Sequence, residues 1–145
     1  MKISIAADHA GYLEKKELID FLEKKNIEVI NLGTDSEDSV DYPFYGQKVA
    51  RSIINNESDR GIIVCGTGIG ISIAANRFKN IRATLCTSVV HAEMARKHND
   101  SNVLALGARI TDMKDMKKIV EVWLGTKFEG GRHQDRINKI DNVNE

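Results

Sequence analysis

Short apolar runs alternate along the chain with longer segments whose apolar residues recur every three or four positions. The apolar runs predict five strands, at 2–7, 27–32, 61–65, 82–86 and 103–106. The periodic segments predict six helices, at 11–25, 44–55, 68–77, 88–97, 113–124 and 132–140. Strict alternation of strands and helices is typical of a parallel sheet with helices on both faces. The sequence therefore predicts an α/β protein, with a three-layer αβα, Rossmann-like fold and a five-stranded parallel sheet.

The length and the charge of the chain limit the classes of protein to which it can belong. Its 145 residues, 41% of them hydrophobic, are enough for one domain with a full core. We therefore expect a single domain over 1–145, whose polar C-terminal part, about 128–145, forms a helical tail. Lysine plus arginine and aspartate plus glutamate each number 21, so the formal net charge is zero. Because nucleic-acid-binding proteins normally carry a basic excess, this balance argues against a nucleic-acid partner.

The cellular setting is predicted from the cysteines and from the apolar runs. Two cysteines, Cys65 and Cys86, are too few for a disulfide framework. The chain enters its first predicted strand at once, without the pattern of a signal peptide. No apolar run approaches the roughly 18 residues that span a membrane. We therefore expect a cytoplasmic protein without a membrane partner.

A glycine-rich turn, Cys65-Gly-Thr-Gly-Ile-Gly70, joins the third predicted strand to the following helix. Glycines at every second position let backbone N–H groups crowd around a small oxyanion at the start of a helix. The start of a helix also lowers the pKa of a thiol and favours the thiolate. The turn therefore predicts a base or nucleophile, Cys65, beside an oxyanion hole. The alternative is a structural turn with a buried cysteine.

Two common glycine motifs are absent from this turn. The dinucleotide fingerprint G-x-G-x-x-G requires glycine where Ile71 stands, and it requires an acidic residue at the end of the next strand. The Walker A pattern requires Gly-Lys followed by serine or threonine, which the chain lacks. Nucleotide binding through either motif is thereby excluded.

Other polar residues follow the ends of predicted strands, where the ligands of parallel sheets bind. Asp8 and His9 follow the first strand, and Arg109 follows the fifth. The planar guanidinium of Arg109 matches phosphate oxygens, so this residue is a candidate phosphate ligand. The structural alternatives are a helix N-cap for Asp8 and a surface position for His9.

A second group of candidates lies at the end of the fourth predicted helix and in the tail. His98 ends that helix, whereas Arg132 and Arg136 are four residues apart and share a face of the tail helix. The structural alternatives are a helix C-cap for His98 and a solvated helix for the two arginines. His91 and His133 are expected at the surface. The chain contains neither His-x-x-x-His nor Cys-x-x-Cys, so we expect no metal and no cofactor.

Taken together, six stretches of the chain resemble the B-type ribose-5-phosphate isomerases and their galactose- and allose-6-phosphate isomerase relatives. They run from residue 8 to residue 136, and six matches in the right order are highly specific. The stretches are Asp8-His9-Ala10-Gly11, Asp41-Tyr42-Pro43, 65–77, 98–102, Leu106-Gly107-Ala108-Arg109, and 128–133 with Arg136. The resemblance implies an aldose–ketose isomerase for sugar phosphates that uses no cofactor. It also implies a homo-oligomer, a dimer or tetramer, whose sites are shared between subunits.

The resemblance also implies roles for individual residues. Cys65 corresponds to the catalytic base and His98 to the residue that opens the furanose ring, and the chemistry suits Thr67 to move a proton between O1 and O2 of the enediolate. The N–H groups of residues 66–70 would face the developing negative charge. The expected sugar contacts are Asp8, His9, Gly66, Thr67, Gly68, Ile69, Gly70 and Asn99. The expected phosphate ligands are His9, Arg109, Arg132 and Arg136.

The sequence leaves alternatives open for the function. Ribose 5-phosphate is the first expectation, and a six-carbon substrate such as allose or galactose 6-phosphate is the second, because pocket depth decides between them. An alternative of another class is a non-catalytic module that binds sugar phosphates, against which the presence of both Cys65 and His98 argues. A thiol-dependent transferase that uses Cys65 as a nucleophile is the fourth.

Overall fold

A computed structural model describes residues 1–143 of the chain, which form a five-stranded sheet and six α-helices. The strands are β1 (Lys2–Ala7), β2 (Glu28–Asn31), β3 (Arg60–Cys65), β4 (Ala83–Leu85) and β5 (Val103–Gly107). The helices are α1 (Tyr12–Glu23), α2 (Tyr42–Ile54), α3 (Ile69–Ala75), α4 (Val89–Asn99), α5 (Met113–Gly125) and α6 (Arg132–Asp141). Every predicted element is therefore present. The last two positions of the predicted tail, 144 and 145, lie outside the described residues.

All strand pairs are parallel, and the strand order is β2-β1-β3-β5-β4. The chain moves outward from β1 to β2 and then returns to place β3 on the other side of β1. The carboxyl ends of β1 and β3 therefore flank a topological switch point, where open α/β sheets bind ligands. Asp8 and Cys65 lie at this point, which the strand order makes the candidate site.

The two edge strands, β2 and β4, are shorter than predicted. Each pairs on one side only, so fewer of its backbone groups take part in the ladder. The residues just beyond these strands still bond to the sheet, since the N–H of Leu32 donates to the carbonyl of Ile5 and that of Cys86 to the carbonyl of Ala105, but they do not continue the regular ladder. Bounds of edge strands are therefore less visible in the sequence than their existence.

Two apolar clusters hold the three layers together. On one face of the sheet the buried side chains of Leu18, Ala92 and Trp123 belong to α1, α4 and α5. On the other face, Val49 and Ile71 belong to α2 and α3. The predicted αβα arrangement is thereby confirmed. Among the helices of residues 1–143, none has the length and the apolar character needed to cross a membrane.

Candidate active site

Cys65 ends β3 and lies buried, 3% exposed, beneath the glycine-rich turn. The backbone N–H of Gly68 donates a hydrogen bond to its sulfur over 3.1 Å. This N–H places the positive end of a backbone dipole against the sulfur. The thiol and the turn, which the sequence places side by side, are therefore joined by a direct contact.

Glycine is required at position 68 by both conformation and space. Its φ of 78° lies in the left-handed region, which residues with a side chain rarely adopt. A Cβ at this position would lie 2.5 Å from the Cδ1 of Leu85 and 2.9 Å from the carbonyl carbon of Leu106. The turn consequently lies directly on the ends of the neighbouring strands.

The turn uses some of its own N–H groups. Besides Gly68, the N–H of Ile69 is occupied, because it donates to the Oγ1 of Thr67 over 3.2 Å. The expectation that the N–H groups of all residues 66–70 face a ligand is therefore wrong for these two residues. The N–H groups of Gly66, Thr67 and Gly70 donate to no acceptor within residues 1–143 and are available to an oxyanion.

Asp8 combines a structural task with a free oxygen. Its side chain is buried, and Oδ1 accepts hydrogen bonds from the N–H groups of Ala10 (3.0 Å) and Gly11 (3.2 Å). The N-cap alternative is therefore correct for this oxygen, which caps the short 3₁₀ turn His9–Gly11. Oδ2 is bonded to none of the residues in the described part of the chain, so it is free to accept from a sugar hydroxyl.

The orientation of His9 is set by a backbone group that the sequence did not indicate. The N–H of Val40 donates to the Nδ1 of His9 over 3.1 Å. In the neutral ring the proton must then be on Nε2, which becomes a hydrogen-bond donor. The loop before α2 thereby leaves the Nε2 of His9 as a donor, which is the kind of group that the predicted phosphate contact requires.

Arg109 and Tyr42 border the turn on two sides. The N–H of Arg109 donates to the carbonyl of Gly66 over 2.9 Å. Its exposed guanidinium covers the same residue, since a Cβ at Gly66 would lie 3.2 Å from Nη1. The ring of Tyr42 lies against Gly70, where a Cβ would be 2.5 Å from Cζ. Tyr42 is not among the residues that the sequence predicts for the site, although it stands within the Asp41-Tyr42-Pro43 stretch that carries part of the resemblance.

The second group of candidates lies at the amino edge of the sheet, where the parallel strands begin, whereas the first group lies at the carboxyl edge, where they end. The carbonyl of Asn99 accepts from the Nε of Arg82 over 3.0 Å, and Arg82 stands directly before β4. Since α4 runs from the carboxyl ends of the strands back to their amino ends, His98 and Asn99 belong to the amino edge. Arg60 and Cys65 lie at opposite ends of β3, about 17 Å apart at roughly 3.3 Å per residue.

One chain therefore does not bring all the predicted site residues together. Asp8, His9, the turn at 65–70 and Arg109 form a carboxyl-edge group. His98, Asn99, Arg132 and Arg136 form an amino-edge group, because α6 packs against the end of α4. The predicted site residues therefore fall into two groups, at opposite edges of one sheet.

His133 is buried, 6% exposed, so its predicted surface position is wrong. Its ring stacks on that of His98, with the centroids 4.5 Å apart and the planes at 19°. The segment before α6 is held against α4 because the N–H of Glu129 donates to the carbonyl of Lys97 over 3.1 Å. Sequence spacing could have indicated this burial, since Ile137, four residues along α6, is apolar and also buried. The prediction for His91, by contrast, is confirmed: it is exposed.

The surroundings of His133 disfavour its protonated form. Its pKa is lowered from 6.5, first by desolvation and then by the positive charges of His98, Arg132 and Arg136. The carboxylate of Glu129 acts in the opposite direction, and its Oε2 lies 3.5 Å from the Nε2 of His133. The amino-edge group is thus rich in positive charge, as an anion site requires.

Comparison with known proteins places these features in a family. The family model described as Ribose/Galactose Isomerase matches residues 3–140. The chain belongs to the ribose/galactose isomerase family. The family and the enzyme class that the motifs led us to expect are thereby confirmed.

Members of the ribose/galactose isomerase family are similar to this chain over almost their whole length. Ribose-5-phosphate isomerase B of Escherichia coli is 47% identical over 139 residues, which cover 96% of this chain and 93% of the relative. The solved structure of the Clostridium thermocellum ribose-5-phosphate isomerase B is 52% identical, with a TM-score of 0.97 and coverage of 97% and 95%. The Mycoplasma genitalium enzyme of that name was solved with bound ribulose 5-phosphate. It is 41% identical, with a TM-score of 0.92 and coverage of 97% and 93%.

Proposed function

We propose that the protein interconverts ribose 5-phosphate and ribulose 5-phosphate by aldose–ketose isomerisation. The observation that carries the proposal is the contact between the Gly68 N–H and the Cys65 sulfur at the switch point of the sheet. This reaction needs a base for a C–H proton beside donors for an enediolate, and the turn supplies both. The ribulose 5-phosphate bound to the Mycoplasma genitalium relative supports the choice of a pentose.

Cys65 and its turn would perform the isomerisation itself. The thiolate removes the proton from C2 of the open-chain aldose and leaves a cis-enediolate. The free N–H groups of Gly66, Thr67 and Gly70 stabilise its negative charge, each by about 3 kcal/mol. The thiol then returns the proton to C1, while the hydroxyl of Thr67 moves a proton from O2 to O1. The aldehyde becomes an alcohol and the C2 alcohol a ketone, without an external oxidant or reductant.

The ring must be opened before this step, and His98 is assigned to that task. The ring oxygen gains a proton as its bond to C1 breaks, and the C1 hydroxyl loses one. An imidazole exchanges protons readily near neutral pH and suits both transfers. Asn99, beside His98 on the amino-edge group, would hold a sugar hydroxyl.

The two groups of site residues require a second copy of the chain. Cys65 and His98 lie at opposite edges of one sheet, so a two-fold dimer can bring the carboxyl edge of one subunit to the amino edge of the other. Ile69, Ile73 and Ile110, near the carboxyl edge, are 53–60% exposed, and such apolar side chains favour coverage by a partner. We therefore propose a homodimer, or a tetramer built from such dimers, with shared sites.

The sugar phosphate would be gripped by both subunits. His9 and Arg109 reach the phosphate from the carboxyl-edge group, and Arg132 and Arg136 reach it from the amino-edge group of the other subunit. The arginines are exposed and their guanidinium groups match phosphate oxygens. Binding energy from this remote group positions the reacting carbons.

The proposed place of action is the cytoplasm. Cys65 and Cys86 are both free and buried, and a thiol that acts as a base must stay reduced. The formal net charge of zero argues against a nucleic-acid partner.

A coupled assay of the purified protein tests the function. We expect turnover of ribose 5-phosphate in the presence of EDTA, because every proton transfer is assigned to a protein group. A parallel assay with allose 6-phosphate tests the hexose alternative. A higher kcat/KM for allose 6-phosphate than for ribose 5-phosphate would favour that alternative. Binding of both sugars without turnover of either would point to the non-catalytic module.

A further inference from the structure

His98 and two neighbouring side chains that have no place in the predicted site converge on one point, although no spacing in the sequence suggests it. His98 ends α4, Glu129 stands before α6, and His133 lies in its first turn. One ligand atom from each of them lies within 4.8 Å of the others. Two imidazoles and a carboxylate are the ligands that Zn²⁺ takes in three-residue sites with an open fourth position.

We propose that His98, Glu129 and His133 form a Zn²⁺ site that inhibits the enzyme reversibly. The binding part of this inference stands on the cluster alone. The inhibition part rests on the proposed function, in which His98 opens the sugar ring. Glu129 and His133 have no task in the mechanism above, so the mechanism does not explain why they meet His98.

One ligand–ligand distance already suits a tetrahedral zinc site. With zinc–ligand bonds of about 2.0–2.1 Å, two ligand atoms in tetrahedral geometry lie roughly 3.4 Å apart. The Oε2 of Glu129 and the Nε2 of His133 are 3.5 Å apart. The rings of His98 and His133 are stacked with their planes at 19°, so both side chains would have to turn before a nitrogen of each pointed at one ion.

The cluster is held in place by contacts other than its own ligand atoms. The backbone N–H of Glu129 donates to the carbonyl of Lys97, which holds the loop before α6, and the carboxylate of Glu129 takes no part in that contact. His133 is anchored in the buried face of α6. A backbone that is held in place before binding reduces the conformational entropy that is lost when an ion binds.

The charges around the cluster set its affinity. Glu129 supplies one negative charge, whereas the side chains of Arg132, Arg136 and Lys97 repel a cation. We therefore expect binding in the micromolar range rather than the much tighter binding of structural zinc sites. Zinc on His98 would occupy the imidazole nitrogen that exchanges protons with the sugar, so turnover would stop until the ion leaves.

The test measures the affinity of the full-length protein for Zn²⁺, without substrate, by competition with a chromophoric chelator. Glu129→Gln and His133→Asn should each weaken binding by about tenfold or more. His91→Asn, at an exposed histidine of α4 outside the cluster, should leave it unchanged. Glu129 is exposed, so Glu129→Gln should fold normally. It therefore keeps the test valid even if His133→Asn, a change at a buried residue, does not fold. Equal zinc affinity in the native protein and Glu129→Gln would overturn the proposal.

Activity measured with added zinc tests the consequence. We expect Zn²⁺ to inhibit the native enzyme, EDTA to reverse it, and Glu129→Gln to keep its basal rate but require about tenfold more zinc for inhibition. Cys65→Ser, examined by binding alone, separates zinc on the thiol from zinc on the cluster, and its zinc affinity should match that of the native protein. Zinc binding to a protein without isomerase activity would refute the proposed function but not the site. Binding without inhibition of an active enzyme would refute the inhibition.

Discussion

The backbone N–H of Gly68 points at the sulfur of Cys65 over 3.1 Å, so the glycine-rich turn and the thiol are one structural unit. The same turn lies against Leu85 and Leu106 at the ends of two other strands. A change in the turn should therefore alter the contact at the sulfur. A change at the sulfur should leave the turn in place, because the two strand ends also hold it. This relationship underlies the first two predictions.

Cys65→Ser should lower kcat by at least 10²-fold, the lower end of what a general base contributes. Serine keeps the size and a hydrogen-bonding atom, so affinity for the sugar phosphate should stay within a few fold. Exchange of the C2 hydrogen with deuterated solvent, followed by NMR, measures the missing step. Cys86→Ala is the matched control and should stay active, whereas near-native exchange in Cys65→Ser would move the base elsewhere, for instance to Asp8.

Gly68→Ala should destabilise the fold by about 2–4 kcal/mol, because it combines a left-handed conformation with a Cβ in contact with two strands. Urea unfolding measures the loss. Gly125→Ala is the control, since a Cβ there meets nothing within 4 Å and alanine favours a helix by up to about 1 kcal/mol. A Gly68→Ala protein as stable as the native one would contradict the close contact described above.

His98→Asn should impair turnover of the cyclic sugar far more than turnover of a short aldose phosphate that cannot form a ring. The physical reason is that only the cyclic sugar needs a proton at its ring oxygen. Steady-state kcat values for the two substrates decide the matter. Equal losses would assign His98 to a step that both substrates share.

Mixing Arg136→Ala chains with Cys65→Ser chains should restore activity if the sites are shared. Each single variant damages both sites of its dimer, but a hybrid dimer contains one site with neither change. If chains pair at random, about half of the dimers are hybrids, and each hybrid has one intact site of its two. Recovery should therefore approach about a quarter of native activity. Unmixed variants serve as controls, and hybrids verified by mass spectrometry that stay inactive would show that each site lies within one chain.

Stability should fall at acid pH in part because of His133. Its folded pKa lies below the ordinary value of 6.5, so the unfolded chain binds more protons and stability is lost as pH falls through 6.5. His133→Asn should therefore lose less unfolding free energy than the native protein between pH 7.5 and pH 5.5, as measured with urea. His91→Asn should behave like the native protein, and parallel curves for all three would show that His133 titrates normally.

The hydrophobic pattern predicted each strand and helix, because the periods of two and of three to four residues are local properties of the chain. It was less accurate at the ends of β2 and β4, where pairing with a neighbour decides whether an apolar residue joins the ladder. Placement of polar residues after strands correctly grouped Asp8, Cys65 and Arg109 at one edge, since parallel strands all end there.

The sequence by itself therefore determined the elements, the αβα layers, the family and the candidate residues, all of which depend on short-range patterns. The tertiary structure alone decided the strand order and the burial of His133 against His98. Both depend on contacts between segments far apart in the chain. Packing free energy summed over the whole core selects such contacts, and no local period records them.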